Sequence, residues 1–358
     1  LHVVSDSKYV VDGLTLHLPK WERAGWLGVA NKQLFQELVA RLRARSAPTS
    51  LRWVKGHSRV AGNEEADRLA KQGAMLPQPF RPCRPRPPVR YLQNGMSLAH
   101  LTQKMAYKAI RSSKSCAERS STKANMNAVR NALHEKTGIS VTENAVWTLL
   151  RKDPVQRKVR DFLWKALHGA YRVGRYWENI PSLEGRAKCA VCGVEESMEH
   201  ILTTCRAVGQ REAWCLARAL LEKRAVPVGE ISLGIGLGGH AFTVTNGDGG
   251  TNAPATRLAR IVLTETARLV WALRCERVIG REGRTQHTRA EVENKWRAVI
   301  NRRLSTDMAI TNVRTCGKRA IPRDMVLKTW SGTLEQENAL PDDWIGCPGV
   351  LVGRLYAQ

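Results

Sequence analysis

A chain of 358 residues, 43% hydrophobic and 25% charged, is long enough for two or three ordinary cores. It carries 57 Lys and Arg against 32 Asp and Glu, a net charge of +25, which favours long-range association with polyanions, nucleic acid foremost. No stretch approaches about 20 apolar residues, so a membrane span is not expected, and nine cysteines in a chain of this length do not read as a disulfide framework.

The charge is uneven. Residues 1–76 are net +5, residues 77–181 net +14 and residues 182–358 net +6, so an electrostatic footprint is expected in the middle third. The chain opens on Leu1 and runs at once into LHVVS (1–5), a β-branched run that reads as a buried strand inside a longer product. SDSKYVVDG predicts a turn or two of helix stopped by Gly13. Asn31 is a candidate N-cap for a helix with Leu34, Phe35, Leu38, Val39 and Leu42 on one face, and Arg41, Arg43 and Arg45 suit its C-terminus. LRWV (51–54) predicts a second strand, KGHSRVAG a loop, and NEEADRLAKQGA (63–74) a helix with Ala66, Leu69, Ala70 and Gly73 as its apolar face. This order implies an α/β layer.

Residues 77–90 are rich in proline and arginine and read as an extended linker. Residues 91–226 read as basic helices, among them 159–177 and 211–224. Residues 227–256, rich in Gly, Thr and Asn, predict a flexible loop, and helical patterns resume at 257–280 and 287–304 within a helical C-terminal region, 257–358.

Three side chains of the first segment carry chemistry. Asp6 ends the first strand, His57 lies in the loop after the second, and Asp67 projects from the edge of the following helix, near its N-terminus, where the dipole favours the ionised carboxylate. Carboxylates converging on one cleft can hold Mg²⁺ for phosphodiester cleavage. DSKYVVDGL, WERAGW, NKQLFQEL and WVKGHSRVAGNEEADRLAKQGA together resemble, in order and spacing, the C-terminal half of type 1 ribonuclease H, over residues 1–74.

The resemblance implies an RNA–DNA hybrid ribonuclease working by two-metal hydrolysis. Asp6 and Asp67 would then be two of four Mg²⁺-binding carboxylates, and His57 a histidine assisting proton transfer or product release. Asn63 matches a substrate-contacting position, although a plain N-cap explains it equally well. Trp21 and Trp26 match a substrate-binding arm, but LGVAN stands where that arm is usually lysine-rich. The family's other Asp and its Glu would precede Leu1, so the 358 residues alone are expected to be inactive, with an incomplete two-metal site.

KCAVCGVEESMEHILTTC supplies Cys189, Cys192, His200 and Cys205 in a C-x2-C-x7-H-x4-C pattern. Four closed ligands predict a structural zinc site in a reducing, intracellular compartment, with Glu195, Glu196 and Glu199 as surface groups. The flanking FLWKALHGAYRVGRYW, with CAVCG and EHILTTC, resembles the zinc-binding domain that accompanies reverse transcriptases of non-LTR retrotransposons. ETARLVWALRCERVIG and WRAVINRRLSTD resemble C-terminal helices of its fungal members. The remaining cysteines read as ordinary thiols.

The expected fold is therefore an α/β ribonuclease H-like half-domain (1–76) followed by a mainly α-helical region with a small zinc-binding knuckle. The expected partners are RNA–DNA hybrid and other nucleic acid. Two other readings of the same layout are a zinc-containing nucleic-acid-binding protein without catalysis, and a fragment whose knuckle contacts another protein.

Overall fold

The structure, a computed structural model, describes residues 1–56, 60–76, 89–92, 95–114, 118–152, 154–283 and 285–353. Most of residues 77–90, read as a linker, and Cys83 and Cys116 lie outside the described residues. The chain divides into two compact units, Leu1–Ala117 and Glu118–Gln358. Among the described residues no helix is long and apolar enough to cross a membrane.

In the first unit β1 (His2–Ser5) and β2 (Ser50–Trp53) form a parallel pair, with His2 opposite Ser50 and Ser5 opposite Trp53. Parallel strands need a long crossover. Here it comprises α1 (Lys8–Asp12), a π-helical segment (Gly13–His17), α2 (Leu18–Arg23) and α3 (Lys32–Ala44). Leu14, Trp26, Phe35 and Val39 make the core beneath it.

Two local expectations are corrected. Gly13 does not stop the helix: it keeps helical angles, and a β-carbon there would lie 2.8 Å from the Trp21 ring and 2.9 Å from Phe35. Its smallness serves close packing, not a turn. Asn31 sits before α3 at φ 54° with no side-chain cap bond.

β2 leads to α4 (Ala61–Ala74), none of whose residues is buried; Leu69 on its apolar face is 54% exposed. After the linker the chain returns to the same unit. The Ser97 amide donates to the Arg23 carbonyl at 3.0 Å, and Thr102 caps α5 (Gln103–Ser113). The first compact unit thus extends through α5, beyond the ribonuclease H-like segment read over residues 1–76.

The second unit is helical: α6 (Ser120–Thr137), α7 (Glu143–Leu150), α8 (Arg157–Leu167), α9 (Gln210–Glu222), α10 (Leu233–Gly238), α11 (Ala253–Cys275), α12 (Arg289–Ile310), α13 (Val313–Cys316) and α14 (Arg323–Trp330). Side-chain caps start several of them: Thr142, Ser232, Asn252 and Thr288, the last in a capping box with Glu291. Most of α11 is buried, and α9, α12 and α14 pack on it.

The helix read over 159–177 ends at Leu167, where His168 and Gly169, the latter at φ 58°, turn the chain. The flexible loop expected over 227–256 is also corrected. Residues 234–242 are buried, and α10 lies against α6 so closely that a β-carbon on Gly234 would meet the Ala128 carbonyl oxygen at 2.2 Å. Glycine here provides close approach, not freedom of the backbone.

Candidate active site and metal centre

Asp6 follows β1 directly. The ladder fixes its backbone, with the Val54 amide donating to the Ser5 carbonyl at 3.0 Å and Trp53 Nε1 donating to the Asp6 carbonyl at 2.9 Å. Its exposed carboxylate accepts a hydrogen bond from Asn63 Nδ2 at 3.2 Å. Gly56 forms the floor: a β-carbon there would lie 3.2 Å from Asp6 Oδ2. Asn63 lies inside α4, whose N-cap is Val60, so the N-cap reading of Asn63 is corrected.

Asp67 stands four residues after Asn63 on α4, one turn along the same face and about 6 Å further on. Its carboxylate reaches Lys71 at 3.3 Å. The structure therefore joins Asn63 to Asp6 directly and sets Asp67 one turn away. His57 lies outside the described residues. Among the described residues, no group of three or more metal-ligating side chains forms around Asp6.

The tryptophans do not form a surface arm. Trp26 is 2% exposed, at φ 58° and inside the core, which removes it from contact with a substrate. Trp21 is half-buried, its ring 5.0 Å from Phe35 and 5.9 Å from Trp26. The expected substrate-binding role of Trp26 is corrected to packing, whereas Trp21 packs on the same core and keeps part of its surface exposed.

In the second unit the ligand atoms of Cys189, Cys192, His200 and Cys205 lie within 4.8 Å of one another. The Cys189 and Cys205 sulfurs are 3.8 Å apart, and those of Cys192 and Cys205 4.0 Å. A disulfide would need about 2.05 Å. Tetrahedral zinc with Zn–S bonds of about 2.3 Å places sulfurs about 3.8 Å apart.

Local backbone explains the convergence. Gly193 at φ 73° closes the C-x2-C turn, its amide donating to the Cys189 carbonyl at 2.8 Å. His200–Thr204 form a π-helical turn, in which the Cys205 amide donates to the His200 carbonyl at 2.8 Å. This i to i+5 closure brings together two ligands that ordinary helical spacing would set on different faces.

Buried His200 Nε2 has no hydrogen-bond partner, whereas Nδ1 meets Thr204 Oγ1 at 3.2 Å. An orphaned ring nitrogen beside three sulfurs, with the other nitrogen oriented by a neighbour, is the arrangement of a metal-bound histidine. Burial lowers the pKa of His200, with the Arg277 and Arg206 charges adding to it, and so favours the neutral ligand form. Burial, with the neighbouring sulfurs adding to it, pushes the Cys205 thiol up to about 12. Burial also resists ionisation of Cys192, but hydrogen bonds led by the Arg206 amide, 3.2 Å from its sulfur, hold it below the ordinary value. A divalent cation would relieve this crowding. The residues fit zinc.

Sequence reasoning missed Gly56 and Thr204, which lie within the WVKGHS and EHILTTC runs but show no role of their own there, and the Arg206 amide, which carries no motif signal. It also misread Glu196, which is not a surface group: it is 3% exposed and accepts from Arg274 Nε at 3.1 Å and from Arg274 Nη2. Beside the cluster runs an open groove lined by Arg206, Arg211, Arg218 and Arg289, with Glu212 and Glu230.

The RNase H family model matches residues 1–75. The chain is 42% identical over 82 residues to ribonuclease H of Erythrobacter litoralis (strain HTCC2594), covering 21% of this chain and 55% of that protein. It is 43% identical over 74 residues to ribonuclease H of Bordetella avium (strain 197N), covering 19% and 47%. It is 39% identical over 80 residues to ribonuclease H of Zymomonas mobilis subsp. mobilis, covering 21% and 50%. No solved structure matches the chain. The chain spans about half the length of the curated relatives it matches, and its residues 1–75 are similar to ribonuclease H.

Proposed function

We propose that the first unit is part of a ribonuclease H-type nuclease acting on the RNA strand of RNA–DNA hybrids. The second unit is then a zinc-stabilised module that binds nucleic acid, within a retrotransposon-like protein that includes a reverse transcriptase. The bond from Asn63 to the Asp6 carboxylate carries the nuclease reading, because it aims the face of α4 that bears Asp67 towards Asp6. The order of a ribonuclease H-like segment followed by a Cys3His cluster supports the retrotransposon context, and three free thiols at one site suit a reducing, intracellular compartment.

Asp6 and Asp67 would hold Mg²⁺. An exposed carboxylate fits this ion, which keeps several waters and takes one or two carboxylates from a protein. When bound it supplies a more acidic water and neutralises charge on the leaving oxygen. Asn63 holds the Asp6 carboxylate in place, Trp53 holds its backbone, and Gly56 leaves room beside it. A two-metal centre draws on more than two carboxylates, so the 358 residues by themselves bind hybrid but cut it slowly.

The test is hybrid binding and cleavage by the 358-residue chain across a Mg²⁺ titration, with Asp6→Asn alongside. Mg²⁺-strengthened binding that Asp6→Asn weakens, with cleavage far below an enzyme's rate, supports the reading. Mg²⁺-independent binding that is unchanged in Asp6→Asn overturns the site. Fast cleavage abolished by Asp6→Asn overturns the statement of inactivity and leaves the site standing.

The closed Cys3His set favours a second component, nucleic-acid binding without catalysis by the second unit: all four ligands come from protein, leaving no open position for chemistry.

A further inference from the structure

Residues 172–188 form a loop latched to the zinc knuckle at several points. The Glu196 amide donates to the Ala187 carbonyl at 2.9 Å, and Lys188 bridges Glu195 in antiparallel fashion. Arg175 Nε donates to Glu195 Oε2 at 3.3 Å. Gly174, at φ 58°, lies so close that a β-carbon would meet the Glu196 carbonyl oxygen at 2.4 Å.

On this latched loop four side chains form a ladder. The Arg172 guanidinium lies over the Tyr176 ring, 5.1 Å from its centroid. Tyr176 meets Trp177 edge to face at 5.1 Å, and the Arg186 guanidinium lies 5.5 Å from the Trp177 centroid. Trp177 Nε1 donates to the Arg172 carbonyl at 2.9 Å, which fixes the indole. Tyr176 remains 45% exposed, and among the described residues neither Arg172 nor Arg186 meets a carboxylate.

A large ring held open to solvent beside cations is more than solubility requires. Hydrophobic contact alone would not place a guanidinium at each end. Such a ladder matches a strand whose bases are unpaired: a base stacks on the tyrosine, and the two guanidiniums meet the phosphates on either side. A duplex hides its base faces and offers only phosphates.

We propose that Arg172, Tyr176, Trp177 and Arg186 form a stacking site for single-stranded nucleic acid, positioned by the zinc knuckle. This rests on the reading of the second unit as a nucleic-acid-binding module and names its substrate class. Glu178 and Glu184 on the same loop keep its net charge small, so stacking, not bulk charge, sets the preference.

The experiment uses the full zinc-loaded chain and fluorescence anisotropy with a labelled 12-nucleotide RNA, the same sequence as a duplex, and an acidic peptide. The single strand is expected to bind most tightly, with Tyr176→Ala weakening it about tenfold and Tyr176→Phe leaving it nearly unchanged. Arg172→Gln with Arg186→Gln should weaken binding and flatten its salt dependence. Zinc content of each variant, measured by mass spectrometry, confirms an intact knuckle. Equal affinity of the wild type and Tyr176→Ala for the single strand overturns the stacking site while leaving nucleic-acid binding in place. Preference for the duplex or for the acidic peptide also overturns it. Failure of the wild type to bind any nucleic acid overturns both the site and the reading beneath it.

Discussion

Replacing Glu196 by Gln removes one charge from a pair enclosed on all sides, since Glu196 is 3% and Arg274 8% exposed. Arg274 reaches the carboxylate through both Nε and Nη2, and its guanidinium also lies 5.4 Å from the Trp271 centroid. Glutamine keeps the shape and one acceptor but leaves the arginine charge unbalanced away from water. Breaking a buried pair on one side costs about 3–5 kcal/mol, and the retained acceptor puts Glu196→Gln at the lower end, about 3 kcal/mol. Guanidinium unfolding followed by tryptophan fluorescence measures the loss, provided the slope with denaturant is unchanged. The double variant Glu196→Leu with Arg274→Met removes both charges, and it should recover at least half of that loss. A loss below about 1 kcal/mol for Glu196→Gln, or a double variant no better than the single, would refute the claim that this pair ties the knuckle to α11.

Two other outcomes follow from buried groups of the second unit. His240 is fully buried, with Nε2 3.1 Å from the Val146 carbonyl, and burial depresses its pKa to about 4. The unfolded chain takes up this proton near pH 6.5 and the folded chain only near 4, so the neutral ring's stability is present above 6.5 and lost as pH falls towards 4. The loss is about 2 kcal/mol at pH 5, and His240→Gln should show a shallower fall between pH 7 and 5 in parallel denaturation curves. Zinc should bind at one ion per chain, and Cys205→Ser should lose it while Cys215→Ser retains it, as read by native mass spectrometry; retention by Cys205→Ser would remove this cysteine from the ligand set.

The cysteine and histidine pattern was legible because its ligands are close in sequence and a tight turn suffices to gather them. Asp6 and Asp67 were legible only through resemblance, since 60 intervening residues must fold before α4 reaches β1. Trp26 was misread because an aromatic residue in a turn-rich segment can face either way, and only the packing of Phe35 and Val39 decides it. The π turn at His200 and the burial of Glu196 were not legible. Each depends on a partner brought in by the fold, Cys205 through its backbone amide and Arg274 from a helix 78 residues away. Glycine content misled twice, at Gly13 and over α10, since composition does not separate a residue chosen for freedom from one chosen for small size.

That distinction bears on where the molecule can be cut or lengthened. The Asn246–Gly250 turn and the α10 stretch are both glycine-rich and lie a few residues apart. The first is exposed and closes on itself through the Asn246 amide and Gly250 carbonyl, 2.7 Å apart. In the second, Gly234, Gly238 and Gly239 are wedged against Ala128, Val129 and Leu263 with no space for a methyl group. A tag, a protease site or a new chain terminus therefore belongs in the turn. The same graft eight residues earlier would prise α10 from α6 and α11.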